Sequence, residues 1–459
     1  MFKIALFVRD QSYAATLEDC FKSFLSRYPK ANIDIISYEK INTIYNNISL
    51  KEIDIKDNIP NENEYFSMLN DSFWLNKKMY EADPKNVFSN KKLDINYQIL
   101  LTLKIKKILV ENKYDLVLAG GAAYLIWTIP VLLSLELGIP AYKIQTFNYI
   151  NPGYEGVRIW FCSDPFWNLK LGNENDFTWD ETGIEKHINT FRKSITTGKY
   201  DLAVDAYKIR KNFTPESFFS LLKNIIKYLF SIDNVSKFRL MSYINSRSNK
   251  SLYINFEQFN DEYFLFPLNQ PYDEQLLFRS PEFKNNINTI KLIAKNLPIN
   301  THLVVKEHPV NPGMVSTKDI QNIVSEFQNV HFVSPNINLY KLLEKCVGLV
   351  TVNSTAGLEA MIHGKNILVL GRGYYRELDG VYKFQDEESL SAQLLDMQNN
   401  NGGFKNHKGL DRVLATIINQ TYPGPNIFPS KETQYYETLT DALEFKVNQL
   451  YSSSIEDST

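Results

Sequence analysis

Short apolar runs in this chain end abruptly in charge, proline or glycine, and between them apolar residues recur at helical spacing. In the first third, the runs Phe2–Val8, Asn32–Ser37, Tyr114–Ala119 and Ile139–Ile144 predict strands, and Ala14–Leu25 and Gln98–Lys113 predict amphipathic helices. This is a βαβ opening, but its first turn lacks a glycine-rich fingerprint, so the first domain is not expected to hold a dinucleotide. Residues 40–95, rich in Asn, Lys and Asp, read as an irregular or partly helical insertion. Gln145–Asp164 reads as an aromatic loop, and Trp167–Lys250 as mostly helical, with an apolar face over Phe218–Phe230 and basic residues at Lys208, Arg210, Lys211, Lys223 and Lys227. Those cations are expected to form a solvated face.

From Tyr263 the alternation becomes regular. Strands are expected at Tyr263–Pro267, up to Val305, at Val330–Val333, up to Val352, and at Asn366–Leu370. Helices are expected at Asn285–Asn296, around Lys318–Phe327, at Leu339–Cys346, and from Ser354-Thr355 to Gly364. The pattern predicts an α/β chain of two doubly wound, Rossmann-like lobes with a mostly helical insertion. The expected boundaries are 1–165 for an N-terminal acceptor lobe, 166–250 for the insertion and a linker at Asn245–Lys250, and 251–430 for a C-terminal donor lobe. Residues 431–459 complete the chain as a helix over Lys431–Leu450 that packs back on the first lobe and a tail expected to be disordered after Ser452.

One run tests this picture, because Leu116–Leu135 is uncharged and long enough to cross a bilayer. Gly120-Gly121 breaks it after a strand and Pro130 interrupts its second half, so a strand and a buried helix are expected instead. At 459 residues the chain is too long for one ordinary core. Lys+Arg 50 against Asp+Glu 52 leaves a net charge of −2 and no reason to expect nucleic acid as a partner. Cys20, Cys162 and Cys346 lack metal-ligand spacing; with no signal core in Met1–Val8, they point to the cytoplasm.

The chemistry concentrates at two strand ends. Leu303–Val305 runs into Lys306, Glu307, His308 and Pro309, and Val347–Val352 runs into Asn353, Ser354, Thr355, Ala356 and Gly357. Both clusters fall at the carboxyl ends of parallel strands, where open α/β sheets bind ligands. Hydroxyls, free N–H groups and small residues suit a phosphate, and Lys306 and His308 can supply positive charge or a proton. An ordinary N-cap and a plain strand terminator would also explain them. Gly120 and Gly121 are candidates to admit a substrate close to the backbone, although a tight turn explains them equally. In the aromatic loop, Glu155 and Arg158 are acceptor-site candidates.

Residues 263–375 also resemble the bacterial capsule polysaccharide synthesis family, which includes β-Kdo transferases that use CMP-Kdo. The resemblance rests on Phe266-Pro267-Leu268-Asn269-Gln270-Pro271-Tyr272-Asp273-Glu274-Gln275, Lys306-Glu307-His308-Pro309, Thr351-Val352-Asn353-Ser354-Thr355-Ala356-Gly357-Leu358-Glu359-Ala360 and Gly371-Arg372-Gly373-Tyr374-Tyr375. It implies a glycosyltransferase of GT-B architecture with a CMP-linked donor, best matched by Kdo or a related acid, and a saccharide or glycolipid acceptor. A lipid-linked acceptor further implies peripheral contact with the inner membrane. The absence of an Asp-x-Asp triplet fits a reaction without metal and with no cofactor beyond the nucleotide sugar.

In that framework Gln270, Lys306, Glu307, Asn353, Ser354, Thr355, Gly357, Glu359, Gly371, Arg372 and Tyr374 would bind the donor. His308 would stabilise the departing nucleotide and Asp273 would serve as nucleophile or base. This chain has Gln270-Pro271-Tyr272-Asp273 where several relatives carry an additional acidic residue. Two alternatives remain: a CDP-alditol phosphotransferase of teichoic-acid type, with His308 as base, and a non-catalytic subunit of a capsule-assembly complex.

Overall fold

The computed structural model describes residues 2–9, 11–37, 48–52, 95–121, 124–147, 158–162, 189, 193, 234–270, 275–309, 311–400, 403–423 and 433–456. They belong to two compact lobes, one formed by residues 1–86, 92–167 and 417–459 and the other by 87–91 and 168–416. Each is an α/β lobe of Rossmann type.

The first lobe holds a seven-stranded sheet: β1 (Lys3–Phe7), β2 (Asn32–Ser37), β3 (Ile48–Glu52), β4 (Leu116–Gly120), β5 (Ala141–Phe147), β6 (Arg158–Cys162) and β13 (Thr421–Pro423). Its order is β13-β6-β5-β4-β1-β2-β3, parallel from β5 to β3, with β6 antiparallel to both of its neighbours, β5 and β13. The strand order reverses between β1 and β4, the switch point of a doubly wound sheet. Helix α1 (Gln11–Arg27) buries Leu17, Cys20, Phe21 and Phe24 against Ile4, Leu6 and Val8, which seats its helical-period apolar face on the sheet.

Two sequence expectations change here. Gln145–Asp164 is not a loop throughout, because β5 continues to Phe147 and β6 pairs with it antiparallel, Gln145 opposite Trp160. Its aromatic residues mark a strand that the Pro-Gly between the two strands obscured. Pro130 lies inside helix α3 (Leu125–Glu136), following α2 (Ile95–Asn112), and does not end it. Nine of its twelve residues are buried, and that burial offsets the backbone hydrogen bond lost at the proline. No helix among the described residues is long and apolar enough to cross a membrane.

The second lobe holds a fully parallel six-stranded sheet: β7 (Tyr263–Pro267), β8 (His302–Lys306), β9 (Val330–Val333), β10 (Gly348–Thr351), β11 (Asn366–Val369) and β12 (Tyr382–Lys383). Its order is β12-β11-β10-β7-β8-β9, and the reversal falls between β7 and β10. Nearly continuous apolar strands such as Phe264–Phe266 and Leu303–Val305 are what burial on both faces requires. They form the core with Ile290 and Ile293 of α5 (Asn286–Lys295) and Leu390 and Leu394 of α9 (Glu387–Asn399).

The expected linker at Asn245–Lys250 is also corrected. These polar residues finish helix α4 (Asn234–Ser248) and enter a 3-10 turn, Asn249–Ser251. Asn245 and Asn249 are buried and donate to the carbonyls of Gly313 and Val315 at 3.2 and 3.0 Å. Of the anticipated insertion at 166–250, the structure describes 189, 193 and 234–250; Phe218–Phe230 and the cations Lys208, Arg210, Lys211, Lys223 and Lys227 fall outside the described residues.

The last helix, α11 (Thr433–Glu456), continues past Ser452 rather than ending before it. Leu439, Leu443 and Val447 join the first lobe's core, Thr440 donates to the Cys20 carbonyl at 3.2 Å, and Arg27 reaches Asp441 and Glu444 at 2.6 Å each. Cys20, Cys162 and Cys346 are buried free thiols. Burial pushes Cys20 and Cys346 up to about 12, which keeps both protonated and unreactive.

Candidate functional site at the carboxyl edge of the second sheet

The loops leaving β7, β10 and β11 meet at the switch point through one hydrogen-bonded chain. Asn269, just beyond β7, donates its amide to the Asn353 side-chain oxygen at 3.0 Å. Asn353, just beyond β10 and 2% exposed, donates in turn to Ser280 Oγ at 3.0 Å. Ser280 Oγ also accepts the Arg372 backbone N–H at 2.9 Å, so the loop after β11 is held to the same point. Asn269, Asn353 and Ser280 are buried, so the bonds among them replace water that these side chains have lost.

Ser354 and Thr355 come next along the chain. The Ser354 amide donates to Thr351 Oγ1 at 3.1 Å, and Ser354 Oγ accepts the Ala356 N–H at 3.3 Å. Thr355 occupies the N-cap of helix α8 (Ala356–Ile362) without a side-chain capping bond. Both hydroxyl residues are half-buried, at the mouth of the network rather than within it.

Gly357 has a different use from the close ligand approach the sequence suggested. A Cβ there would lie 2.3 Å from the Tyr375 hydroxyl, so the missing side chain makes room for Tyr375. That phenol donates to the Ser354 carbonyl, and burial holds its pKa above the ordinary value, keeping it a neutral donor. Gly371 likewise admits Ser280, whose Oγ would be 2.2 Å from an added Cβ. Tyr374 sits edge-on to Tyr375 at 4.8 Å between ring centroids, Arg372 is exposed, and Glu359 is buried.

The other strand end divides its residues between scaffold and rim. Lys306 is 5% exposed and its ammonium donates to the Pro335 carbonyl at 3.0 Å, which ties the end of β8 to the loop after β9. Glu307 is fully buried and accepts from Tyr253 Oη at 2.7 Å, Val315 N at 2.9 Å and Gly313 N at 3.2 Å. Burial raises its pKa, and those three hydrogen bonds pull it back only in part. Glu307 therefore fixes the loop that begins at His308 from inside, while Asn245 and Asn249 of the preceding segment fix it from outside. His308 is half-buried on that loop, and Asn311 in the same turn donates to the Gln270 side-chain oxygen at 2.9 Å. The loops after β7 and β8 are thus tied to each other as those after β7, β10 and β11 are.

Asp273 and Glu155 lie outside the described residues. In the first lobe Gly120 ends β4, where an added Cβ would be 2.4 Å from the Trp127 indole; packing, not substrate access, explains this glycine. Gly121 follows it, half-buried, and Arg158 opens β6 opposite Phe147 and Pro423. Sequence reasoning passed over Ser280 and Asn311. Ser280-Pro281 and Asn311-Pro312-Gly313 both read as turn signals, and nothing in a turn signal says which distant loop its side chain will bind.

With this geometry in place, the comparisons with known proteins fall on the same region. Residues 195–392 match the family described as capsule polysaccharide biosynthesis protein. Over 197 residues the chain is 25% identical to the capsule polysaccharide modification protein LipB of Neisseria meningitidis serogroup A / serotype 4A, covering 39% of this chain and 43% of that protein. Over 125 residues it is 27% identical to the capsule polysaccharide export protein KpsS of Escherichia coli, 26% of this chain and 32% of that one. The match thus spans less than half the length of these curated relatives. Among solved structures, Thermosulfurimonas dismutans KpsC, a beta Kdo 2,7 transferase, aligns at TM-score 0.36 and 12% identity over 74% of this chain and 88% of that one. The resemblance carried by residues 263–375 is borne out: the segment 195–392, which contains both polar strand ends, matches the model of the capsule polysaccharide biosynthesis family.

Proposed function

We propose that this chain is a glycosyltransferase of capsule or surface polysaccharide synthesis, with its nucleotide-sugar donor held at the carboxyl edge of β7 and β10. The observation that supports this most is the Asn269–Asn353–Ser280 chain. It organises three loops at the one place where a doubly wound sheet opens a crevice, inside the segment that matches the family.

In this reading Ser354 and Thr355 face the donor phosphate from the rim of the network, Gln270 and Arg372 border it, and His308 offsets charge on the leaving nucleotide. The bond between the anomeric carbon and the phosphate oxygen breaks, and the nucleotide departs with the electron pair. The acceptor hydroxyl oxygen bonds to the anomeric carbon as its proton passes to a base, the role proposed for Asp273 if the configuration inverts; if it is retained, the Asp273 carboxylate first displaces the nucleotide and is then displaced by the acceptor oxygen, whose proton passes to the phosphate of the departed nucleotide. The donor best matched to the resemblance is CMP-linked Kdo or a related acid, used without metal. The acceptor is a saccharide or a glycolipid, the latter requiring transient contact with a membrane surface.

The test is nucleotide release from CMP-Kdo, UDP-sugars, GDP-sugars and CDP-glycerol, followed by chromatography with oligosaccharide acceptors present. CMP release that His308→Ala and Asp273→Ala abolish in folded protein is the expected result. Turnover of CDP-glycerol would assign the alditol phosphotransferase instead. Inertness toward every donor would favour a capsule-assembly subunit.

A further inference from the structure

At the opposite end of the second sheet lies a cavity of about 690 Å³, lined by residues that the donor site does not use. Asn366 opens β11, and Asp379, Gly380 and Val381 lead into β12, so the cavity sits at the amino ends of these two strands, while the loop after the carboxyl end of β11 reaches the network above. Its volume lies within the usual range for small-molecule sites.

The walls are built, not incidental. The Asn366 amide donates to the Asn400 carbonyl at 3.0 Å and is buried, which fixes one side. Asn406 donates to the Asp379 carbonyl at 3.0 Å and accepts the Gly409 N–H at 2.9 Å, which fixes the other. Gly403, with φ +68°, packs its backbone on Gly364, where a Cβ would meet the carbonyl oxygen at 2.1 Å. Tyr382 adds part of an aromatic ring, oriented by its hydroxyl on Asp396 at 2.6 Å.

Facing the space are an exposed carboxylate, Asp379, and an exposed ammonium, Lys405, neither engaged through its side chain by another described residue. One acid and one base nearly cancel, which disfavours a nucleotide's phosphates, and a single carboxylate is too few ligands for a hard cation. A carboxylate, an ammonium and three asparagines set into the wall leave no continuous apolar surface for a lipid tail. Acceptor-only carboxylate, donor-only ammonium, two-sided amides and part of an aromatic ring match a ligand that presents many hydroxyls on a partly apolar ring.

We infer that this cavity is a second, non-catalytic saccharide site, which holds a stretch of the acceptor or product polymer away from the donor site. Its choice of ligand rests on the glycosyltransferase reading, whereas the cavity and its lining do not. Asp379 accepts from sugar hydroxyls, and Lys405 donates to hydroxyl or carboxylate oxygens.

The experiment is saturation-transfer NMR on the whole chain with glucose, galactose, N-acetylglucosamine and Kdo as probes, up to about 10 mM, above the Kd of a weak site. It is repeated on Asp379→Ala and Lys405→Ala, both exposed positions, with CMP-induced thermal stabilisation recorded on the same samples. At least one sugar should bind and lose about fivefold in affinity in each variant, the worth of roughly one hydrogen bond, with any CMP effect unchanged. Absence of sugar binding, or binding that both variants preserve, overturns the inference. CMP stabilisation without sugar binding sinks this site alone; variant-sensitive sugar binding without any nucleotide response sustains it while removing the donor-site reading.

Discussion

The two sheets share a strand order around their switch points, yet their carboxyl edges are finished in different ways. At the first, Gly120 is closed over by the Trp127 indole, and Arg9 lies over Tyr124 and Trp127 while donating to the Tyr124 hydroxyl at 2.6 Å. At the second, Asn269, Asn353, Ser280 and the Arg372 amide form a buried polar chain. Aromatic packing can fill a strand end with no demand on sequence beyond shape, whereas a buried polar chain requires each partner in its place. The family segment, residues 195–392, covers the second edge and leaves the first outside it.

The largest effect should come from Glu307, which anchors the loop at the second edge. Glu307→Ala strips a buried acceptor from three donors and should destabilise the second lobe by about 3 kcal/mol or more in urea unfolding. The sign of its pH dependence is also fixed. With the folded-state pKa raised above the ordinary 4.5, the folded protein binds the proton more tightly than the unfolded chain. Its contribution is therefore greatest below 4.5 and declines as pH rises from there through the folded-state value. Glu307→Gln should flatten that part of the stability profile; an unchanged slope would show that burial does not dominate at this carboxyl.

Glycine substitutions at the two edges come next. Gly120→Ala forces a methyl into Trp127 and Gly357→Ala forces one into Tyr375, each costing about 1–3 kcal/mol by overpacking. The comparison sharpens if Gly357→Ala also weakens nucleotide binding while Gly120→Ala does not. Within the polar chain, Asn353→Ala and Ser280→Ala should each cost about 1–2 kcal/mol, with a double variant well short of the sum. Additivity would mean that the chain does not act as one unit. The smallest effect belongs to the exposed pairs of Arg27 with Asp441 and Glu444, where Arg27→Ala should cost less than about 1 kcal/mol and depend on salt.

Much of the fold is legible in the sequence where apolar runs end in strong punctuation. Asn32–Ser37, Tyr263–Pro267 and Val330–Val333 form strands over the residues their patterns predict. The signal fades where an element is short or polar: β3 sits in an Asn- and Lys-rich stretch, β12 has two residues, and Asn245–Lys250 carries no apolar period because its asparagines bond buried carbonyls. At the site, the sequence locates both strand ends, but it cannot tell Glu307 as an internal anchor from its neighbour His308 at the rim. Gly120, Gly357 and Gly371 share one lesson. A glycine at a strand end reports close approach, and the approaching groups here are Trp127, Tyr375 and Ser280.

The most direct test of a donor site at the second edge is a thermal-shift panel of CMP, CDP, UDP, GDP and ADP on the protein, Ser354→Ala and His308→Ala. A nucleotide that binds the folded state raises Tm by mass action. Selective stabilisation by CMP that both substitutions remove is the expected result. Stabilisation by no nucleotide, or by one whose effect survives in both variants, would contradict a donor site built on these two strand ends.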